Sequence, residues 1–262
     1  MTTTTTLDTT RADVPLLRLF NVELRKSVDT LAGRWMLIVI ALLTLIVDLI
    51  VVAIANAANL DLNLSSLLWS QKNVMLPIVA AMAILLATSE WTQRTAMVTF
   101  TLVPDRWKTV VAKSVVAILL GTVAFLLSLG IGGLLTFAGG HWDLSFSDVF
   151  VRYLTWVVFL AQALGLAYLF LNSAAAIVTF YALFVLGTFI VAPIVGPLLG
   201  LKSDFVESVW PWLDLYRATF LTYHSNGWPT GELWGQLTTS SLIWVGIPLS
   251  IGVWRVLSAE VK

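Results

Sequence analysis

The residues able to do chemistry in this chain concentrate in one stretch, SEWTQRTAMVTFTLVPDRWKTVVAK, residues 89–113, between two long apolar runs. Its charged residues are Glu90, Arg94, Asp105, Arg106, Lys108 and Lys113. A turn between two membrane spans needs only a few polar residues. A polar and amphipathic stretch of this length therefore predicts a surface that contacts something soluble.

Residue types that carry out catalysis are missing elsewhere. The sequence has no cysteine, which excludes disulfides, thiolate metal sites and cysteine nucleophiles. His141 and His224 are single histidines with no second ligand at metal spacing, so we predict no metal site. There is no phosphate-binding G-x-x-x-x-G-K-[ST] loop, and GPLLGLKS, residues 196–203, has wrongly spaced glycines. We therefore predict that the chain is not an enzyme and holds no cofactor itself.

Asp48 is the one ionisable residue deep in an apolar run, LLTLIVDLIVVAIANAANL. A carboxylate at that depth is costly and faces the bundle interior or water. It is a candidate for the substrate path, as a cation or proton site, or else a hydrogen-bonded structural residue at a helix interface. An intramembrane protease or lipid transferase would need paired His or acid motifs inside spans, and the predicted spans offer only Asp48.

A second informative stretch, residues 193–231, is rich in proline and tryptophan. Its part DFVESVWPWLDLYRATFLTYHSNG is helical in pattern, and we expect a break at Pro211. Trp210 and Trp212 in this segment join Asp48 as candidates for the substrate path, with membrane-interface anchoring as the simpler alternative.

The composition identifies the class of protein. The 262 residues are 58% hydrophobic and only 11% charged, and the mean hydropathy is +0.90. A soluble domain carries about a quarter charged residues, so we predict an integral membrane protein. The formal net charge is zero, which gives no electrostatic basis for binding nucleic acid.

Six apolar stretches are long enough to cross a bilayer, which takes about 20 helical residues. The predicted spans are residues 35–56, 74–90, 109–138, 150–171, 174–196 and 235–255. The second is short, and we expect Pro77 to kink it near its outer end. Residues 1–14 are polar and threonine-rich, which predicts a disordered cytoplasmic tail, and residues 34–262 form the predicted transmembrane domain.

Lysine and arginine are distributed unevenly about these spans, and cytoplasmic loops carry the excess. One side has eleven: Arg11, Arg18, Arg25, Lys26, Arg34, Arg94, Arg106, Lys108, Lys113, Arg255 and Lys262. The other side has four: Lys72, Arg152, Lys202 and Arg217. We predict that both termini and residues 89–113 are cytoplasmic.

Residues 15–33 are not a span, yet their apolar residues repeat with helical spacing. The stripe is formed by Leu17, Phe20, Leu24, Val28 and Leu31, while Arg25 lies off it. Pro15 suits the first turn and Gly33 suits the end. We predict an amphipathic elbow helix in the cytoplasmic interface that anchors the N-terminus or has a role in coupling.

Within residues 89–113 we predict one helix that ends at Pro104, because the residue before proline avoids the α region. Trp91, Thr95 and Val98 would then share one edge. The basic residues Arg106, Lys108 and Lys113 would face lipid headgroups or an acidic groove.

This stretch resembles the cytoplasmic loop of permeases of the ABC-2 type, in which an acidic residue precedes a threonine-containing helix, a Pro-x-Arg turn and a lysine. The matching residues are Glu90, Thr95, Pro104, Arg106 and Lys113. The resemblance extends to the elbow helix, the six spans and the outer segment 193–231. It implies that the loop, with Trp91 and Arg94 as further contacts, forms the coupling helix that docks on a cytoplasmic ATP-hydrolysing subunit.

The same resemblance implies an all-α bundle that pairs with a second copy or a close relative, and re-entrant outer helices between spans five and six. ATP and Mg would be bound by the partner ATPase. The expected function is export of a hydrophobic or amphipathic substrate, such as a drug, a peptide antibiotic or a lipid, across a bacterial cell membrane. The alternative is a non-transporting sensor or assembly partner that docks a cytoplasmic protein through the same loop.

Overall fold

The protein is built from helices. The computed structural model describes residues 14–29, 31–137, 140–186, 208–225 and 227–258, and these form no β-strand. The helices are α1 (Leu16–Asp29), α2 (Leu31–Ala58), α3 (Leu64–Thr92), α4 (Ala96–Leu102), α5 (Arg106–Phe137), α6 (Phe146–Phe170), α7 (Ser173–Val185), α8 (Trp210–Leu213), α9 (Leu215–Tyr223), α10 (Gly231–Ser241) and α11 (Ile247–Ser258). A π-helical turn, Leu242–Gly246, joins α10 to α11.

Five helices are long and apolar enough to cross a membrane: Arg34–Ala58, Leu64–Thr92, Arg106–Phe137, Phe146–Phe170 and Gly231–Ser258. The prediction of an all-helical protein is therefore confirmed for the described residues, and five of its helices are candidate membrane spans. Of the predicted span 174–196, helix is described only over Ser173–Val185, which is shorter than a span. Residues 187–196 of that span and residues 1–13 of the predicted tail 1–14 lie outside the described residues.

The second span is longer than its hydropathy indicates. α3 begins at Leu64 rather than at residue 74, because the Asn63 side chain accepts a hydrogen bond from the backbone N–H of Ser66 and caps the helix. Pro77 therefore lies inside α3 rather than near its outer end. Lys72, predicted to lie in a loop, is instead a helical residue and is buried.

The first two helices meet earlier than predicted. α1 ends at Asp29 and α2 already begins at Leu31, so the expected stop at Gly33 is wrong. Arg34 follows the junction and donates from Nε to the carbonyl oxygen of Val28 at 3.2 Å.

α6 lies at the centre of the bundle and is the most buried of the five candidate spans, whereas Arg34–Ala58 and Gly231–Ser258 are the least buried. α11 crosses α6 at close range through two glycines. A Cβ on Gly252 would lie 2.6 Å from the backbone nitrogen of Leu169, and one on Gly165 would lie 3.1 Å from that of Leu249. Only glycine allows this approach of two helical backbones.

The outer segment is broken at Asp214, not at Pro211 as predicted. Pro211 lies in the first turn of α8, where its missing N–H costs no hydrogen bond. Asp214 is extended and caps α9 by accepting from the backbone N–H of Tyr216 at 2.9 Å. Residues 187–207, which include the beginning of the predicted re-entrant segment, lie outside the described residues.

Candidate functional site at the α4 end of the bundle

The connection between α3 and α5 is a short helix held between two tight turns. α3 runs to Thr92, and the chain then reverses through Arg94, whose φ of 57° is left-handed. The backbone N–H of Thr95 donates to the carbonyl oxygen of Glu90 at 2.9 Å. α4 follows, and α5 begins just after Pro104. The predicted single helix up to Pro104 is therefore wrong, because Trp91 belongs to α3 and Val98 to α4.

The outer face of α4 is apolar and open. Met97, Val98 and Leu102 are 49%, 60% and 68% exposed. Val98 and Leu102 are four residues apart and therefore lie on the same helical face. Arg94 and Thr95 are exposed beside this face. We call Met97, Val98 and Leu102 the α4 face.

The inner face of α4 is fixed by rings and by one guanidinium group. The Phe100 ring packs on Trp91, with 5.9 Å between ring centroids. The Arg106 guanidinium also packs on the Phe100 ring, with Cζ 4.8 Å from the ring centroid. Its Nη1 donates to the carbonyl oxygen of Val256 at 3.2 Å. Arg106 therefore connects α4 to α11, whereas we had predicted contact with headgroups or an acidic groove.

Beneath α4 four charged side chains form a network that joins three helices. Lys113 Nζ of α5 lies 2.8 Å from Glu23 Oε2 of α1 and 2.9 Å from Glu90 Oε1 of α3. Lys26 Nζ lies 2.9 Å from Glu23 Oε1 and 3.6 Å from Glu90 Oε1. The Lys113 side chain is 2% exposed and both glutamate side chains are 6% exposed. Two acids and two bases balance in charge, which is the condition under which buried ions are tolerated. We call these four residues the α1–α3–α5 network.

The network shifts the titration of its two members on α1. Burial alone would raise the pKa of Glu23, but attraction and hydrogen bonds from Lys113 and Lys26 outweigh it and leave that pKa below its ordinary value. Burial would likewise lower the pKa of Lys26, yet Glu23 and Glu90 hold that pKa above its ordinary value. Both groups are therefore favoured in their charged forms.

A cavity of about 620 Å³ lies beside the network. Glu23, Lys26 and Glu90 line its charged part, and Met36, Met82 and Leu86 are among the residues of its apolar part. Val98 and Thr99 of α4 also reach it. The cavity thus combines ionic groups with an apolar wall next to the α4 face.

The structure divides the predicted coupling residues into two groups. Arg94, Thr95 and Pro104 are exposed, whereas Trp91 and Arg106 are half-buried. Glu90 is 5% exposed and faces the network. Lys113, predicted to face headgroups or an acidic groove, is buried in the same network because two carboxylates surround it.

The predicted elbow stripe packs inward only in part. Phe20, Leu24 and Val28 contact the hydrophobic core, while Leu17 is 71% exposed and Arg25 is exposed. The missed residue is Glu23, the one buried residue of α1. An acid between Phe20 and Leu24 on an apolar stripe was the signal for it in the sequence.

The three candidates for the substrate path are anchored in separate places. Asp48 is fully buried and accepts a hydrogen bond from Gln71 Nε2 at 2.6 Å. Trp210 donates from Nε1 to Asp214 at 2.9 Å. The Trp212 ring packs on α10, with its edge 2.8 Å from where a Cβ on Gly235 would lie.

His224 ends α9 rather than forming part of a metal centre. Its ring packs at 4.5 Å on Trp69, and burial, together with repulsion from Lys72 and Arg152, lowers its pKa although a hydrogen bond to Phe220 opposes this. Within the described ranges no group of three or more His, Asp or Glu side chains is arranged to hold a metal ion.

Lys72 of α3 and Arg152 of α6, both predicted to lie on the outer side, are also buried, each 6% exposed. Comparison of the sequence with protein-family models and with curated proteins gave no match.

Proposed function

We propose that this chain is the membrane-spanning subunit of an ATP-driven exporter of the ABC-2 permease type, powered by a separate ATPase subunit. The observation that carries this proposal is α4, a short helix at the end of the bundle. It has an open apolar face on one side, and the buried α1–α3–α5 network lies beneath it. The sequence around α4 is also the part that resembles the coupling loop of such permeases.

The α4 face fits the task of docking a soluble subunit. Three large apolar side chains exposed within one and a half turns form a patch of the kind that marks interaction sites. Arg94 and Thr95 supply polar groups at its rim. The partner is a cytoplasmic ATPase that binds ATP and Mg. A separate subunit is needed because this sequence has no phosphate-binding loop.

The α1–α3–α5 network is suited to carry a movement of α4 into the bundle. Glu90 lies one turn before the α3–α4 junction, and Lys113 lies two turns into α5. A rotation of α4 therefore shifts the ends of both helices, and α1 follows through Glu23. In this proposal α1 is the cytoplasmic elbow helix, and both termini are cytoplasmic in a bacterial cell membrane.

The open flanks of the bundle fit pairing with a second copy or a close relative. Arg34–Ala58 is the most hydrophobic of the five candidate spans, and most of its apolar residues are not buried within the bundle. Such a helix contacts lipid or another subunit. A transport path between two copies would be lined by these flanks.

The cargo that fits the surfaces described is hydrophobic or amphipathic, such as a drug, a peptide antibiotic or a lipid. The cavity beside the network has an apolar wall and a charged end with two carboxylates and one ammonium group. That combination accommodates a molecule with an apolar body and a polar head that forms hydrogen bonds or ion pairs with these side chains.

The test is purification of tagged full-length protein from its native host in mild detergent, followed by mass spectrometry of what accompanies it. We expect a stoichiometric soluble protein with a phosphate loop, lost in Val98→Glu because a charge is placed on the α4 face. The matched control is Phe146→Glu, which places the same charge on an 81% exposed ring at the opposite end of the bundle.

Both variants must elute as folded protein. Recovery of the intact bundle without any nucleotidase would overturn the proposal and favour the sensor or assembly role. Retention of the ATPase by Val98→Glu would show that α4 is not the docking surface.

A further inference from the structure

The second group of buried charges lies at the end of the bundle opposite α4. Lys72 of α3 is 6% exposed, and aromatic rings surround its ammonium group. Nζ lies 4.4 Å from the Tyr223 ring centroid and 5.2 Å from those of Trp69 and Phe159. Cation–π contacts stabilise the charge partly, but they do not neutralise it.

Arg152 of α6 lies on the other side of the same tyrosine. Its Cζ is 4.8 Å from the Tyr223 ring centroid, and the residue is 6% exposed. Two of its nitrogens, Nε and Nη1, are buried and have no hydrogen-bond partner among the described residues. Unbonded guanidinium nitrogens in a protein interior are costly, so a ligand is the simplest partner for them.

Carboxylates do not balance the two cations. Asp148 lies 3.9 Å from Arg152 Nη1, beyond hydrogen-bond distance. Its oxygens already accept from Ser145 and from the backbone N–H of Gly227 at 2.6 Å. In the part of the chain that the structure describes, no ion pair joins Lys72 to a carboxylate. Lys72 and Arg152 therefore bring two positive charges to a buried site in which one carboxylate of the described residues, Asp148, lies within 4 Å of either group.

A small cavity lies where these groups meet. Its volume is about 10 Å³, and its lining includes Lys72, Arg152, Gln71, Ser128 and Tyr223. The hydroxyl of Ser128 is buried and lacks a partner among the described residues. Gln71 connects this cavity to Asp48, because its Nε2 donates to that carboxylate at 2.6 Å.

We propose that this cavity is a binding site for a single halide ion, chloride under ordinary conditions. Lys72, Arg152 and the Ser128 hydroxyl can each donate to an anion, and the Gln71 amide oxygen in the same lining also has no partner among the described residues. A cavity of this size has room for about one small particle, such as a water molecule or a monatomic ion, so phosphate, sulfate and carboxylates do not fit. A water molecule could accept the same hydrogen bonds, but it would bring no negative charge to the two cationic groups.

The proposal is independent of the transport function, since the site would fix α3, α6 and α9 together whatever the bundle does. Lys72 comes from α3, Arg152 from α6 and Tyr223 from α9. An ion between them favours the state in which all three helices are packed. Halide is therefore expected to stabilise the folded bundle by binding to that state alone.

The experiment is thermal unfolding of the purified full-length protein in detergent, in sodium chloride, sodium bromide or sodium gluconate at equal ionic strength. We expect Tm to rise with chloride and with bromide in a saturable way, by about 3 °C or more over gluconate. Lys72→Met and Ser128→Ala should each reduce the rise. The matched control, Lys26→Met in the α1–α3–α5 network, should retain it.

Ser128→Ala keeps the test valid if Lys72→Met fails to fold, because it removes one hydroxyl and no charge. Bromide-soaked crystals should give an anomalous peak between Lys72 and Arg152. Equal Tm values in chloride and gluconate would overturn the proposal and indicate a water molecule or an uncharged Lys72. A halide effect that survives both Lys72→Met and Ser128→Ala would place the ion elsewhere and would also overturn it.

Discussion

The ammonium group of Lys113 lies 2.8 Å from a carboxylate oxygen of Glu23, a residue 90 positions earlier in the chain. This contact joins α5 to α1 in a buried setting, and Glu90 completes it from α3 at 2.9 Å. A helix that would otherwise lie only on an apolar stripe is thereby fixed at one depth and one rotation. α1 is thus an integral part of the α4 end of the bundle.

Removing the central cation should be strongly destabilising. Lys113→Met leaves Glu23 and Glu90 buried with only the half-exposed Lys26 as partner. Breaking a buried ion pair from one side costs about 3–5 kcal/mol. Lys26→Met is the matched control, since its side chain is 52% exposed and an exposed pair contributes at most about 1 kcal/mol. Denaturant unfolding of the purified variants measures the free energy of unfolding of each. Equal losses in Lys113→Met and Lys26→Met would contradict the buried network.

The network also makes stability depend on pH. Glu23 has a lowered folded pKa, so its contribution is present above its ordinary value of 4.5 and is lost as pH falls through the lowered value. Lys26 has a raised folded pKa, so its contribution is present below 10.5 and is lost as pH rises through the raised value. The stability that Glu23 and Lys26 contribute to the folded state is therefore greatest between pH 4.5 and pH 10.5.

The measurement is Tm as a function of pH for the parent protein and for Glu23→Gln. We expect the parent to lose stability on the acid side more steeply than the variant, because the variant has no carboxylate at position 23 to protonate. Parallel curves below the ordinary acid value of 4.5 would mean that Glu23 is not held in its charged form.

The long apolar helices were predictable because hydropathy is a property of consecutive residues. Five apolar stretches became long helices, and α1 was recognisable from its stripe. Partners of charged residues were not predictable in this way. Periodicity gives the helical face of Glu23, but its neighbours Lys113 and Glu90 lie on other helices far along the chain.

Lys72 shows a second feature that could not be predicted from the sequence, the burial of a charged residue inside a helix. Its charge ended the predicted span, because hydropathy treats an ammonium group as a signal for water. In the folded chain three aromatic rings cover that group, and these rings come from α3, α6 and α9. The predicted span stopped short of Lys72, whereas α3 itself begins at Leu64, directly after the Asn63 cap and eight residues before Lys72.

The crossing of α6 and α11 gives a test of packing. Gly252→Val would place side-chain atoms on the backbone of Leu169, where even a Cβ would lie 2.6 Å from nitrogen. Overpacking costs about 1–3 kcal/mol, and backbone cannot move aside as a side chain does. The matched control is Gly130→Ala in α5, where a Cβ meets nothing within 4 Å.

We expect Gly130→Ala to be neutral or stabilising by up to about 1 kcal/mol, because alanine is the better helix former. The readout is Tm of both purified variants together with the protease sensitivity of Gly231–Ser258. A Gly252→Val protein as stable as the parent would show that α11 does not cross α6 so closely.

Two substitutions at Asp48 distinguish a structural role of this residue from an ionic role. Its Oδ2 accepts from Gln71 Nε2 at 2.6 Å, and both residues are buried. Asp48→Asn keeps an acceptor oxygen in that place, so we expect nearly unchanged stability. Asp48→Ala leaves the Gln71 amide buried without its acceptor, which costs about 1–3 kcal/mol. Denaturant unfolding of the two variants separates them. If Asp48→Asn is as unstable as Asp48→Ala, the negative charge itself is required, and Asp48 is then a cation or proton site rather than a hydrogen-bonded link between α2 and α3.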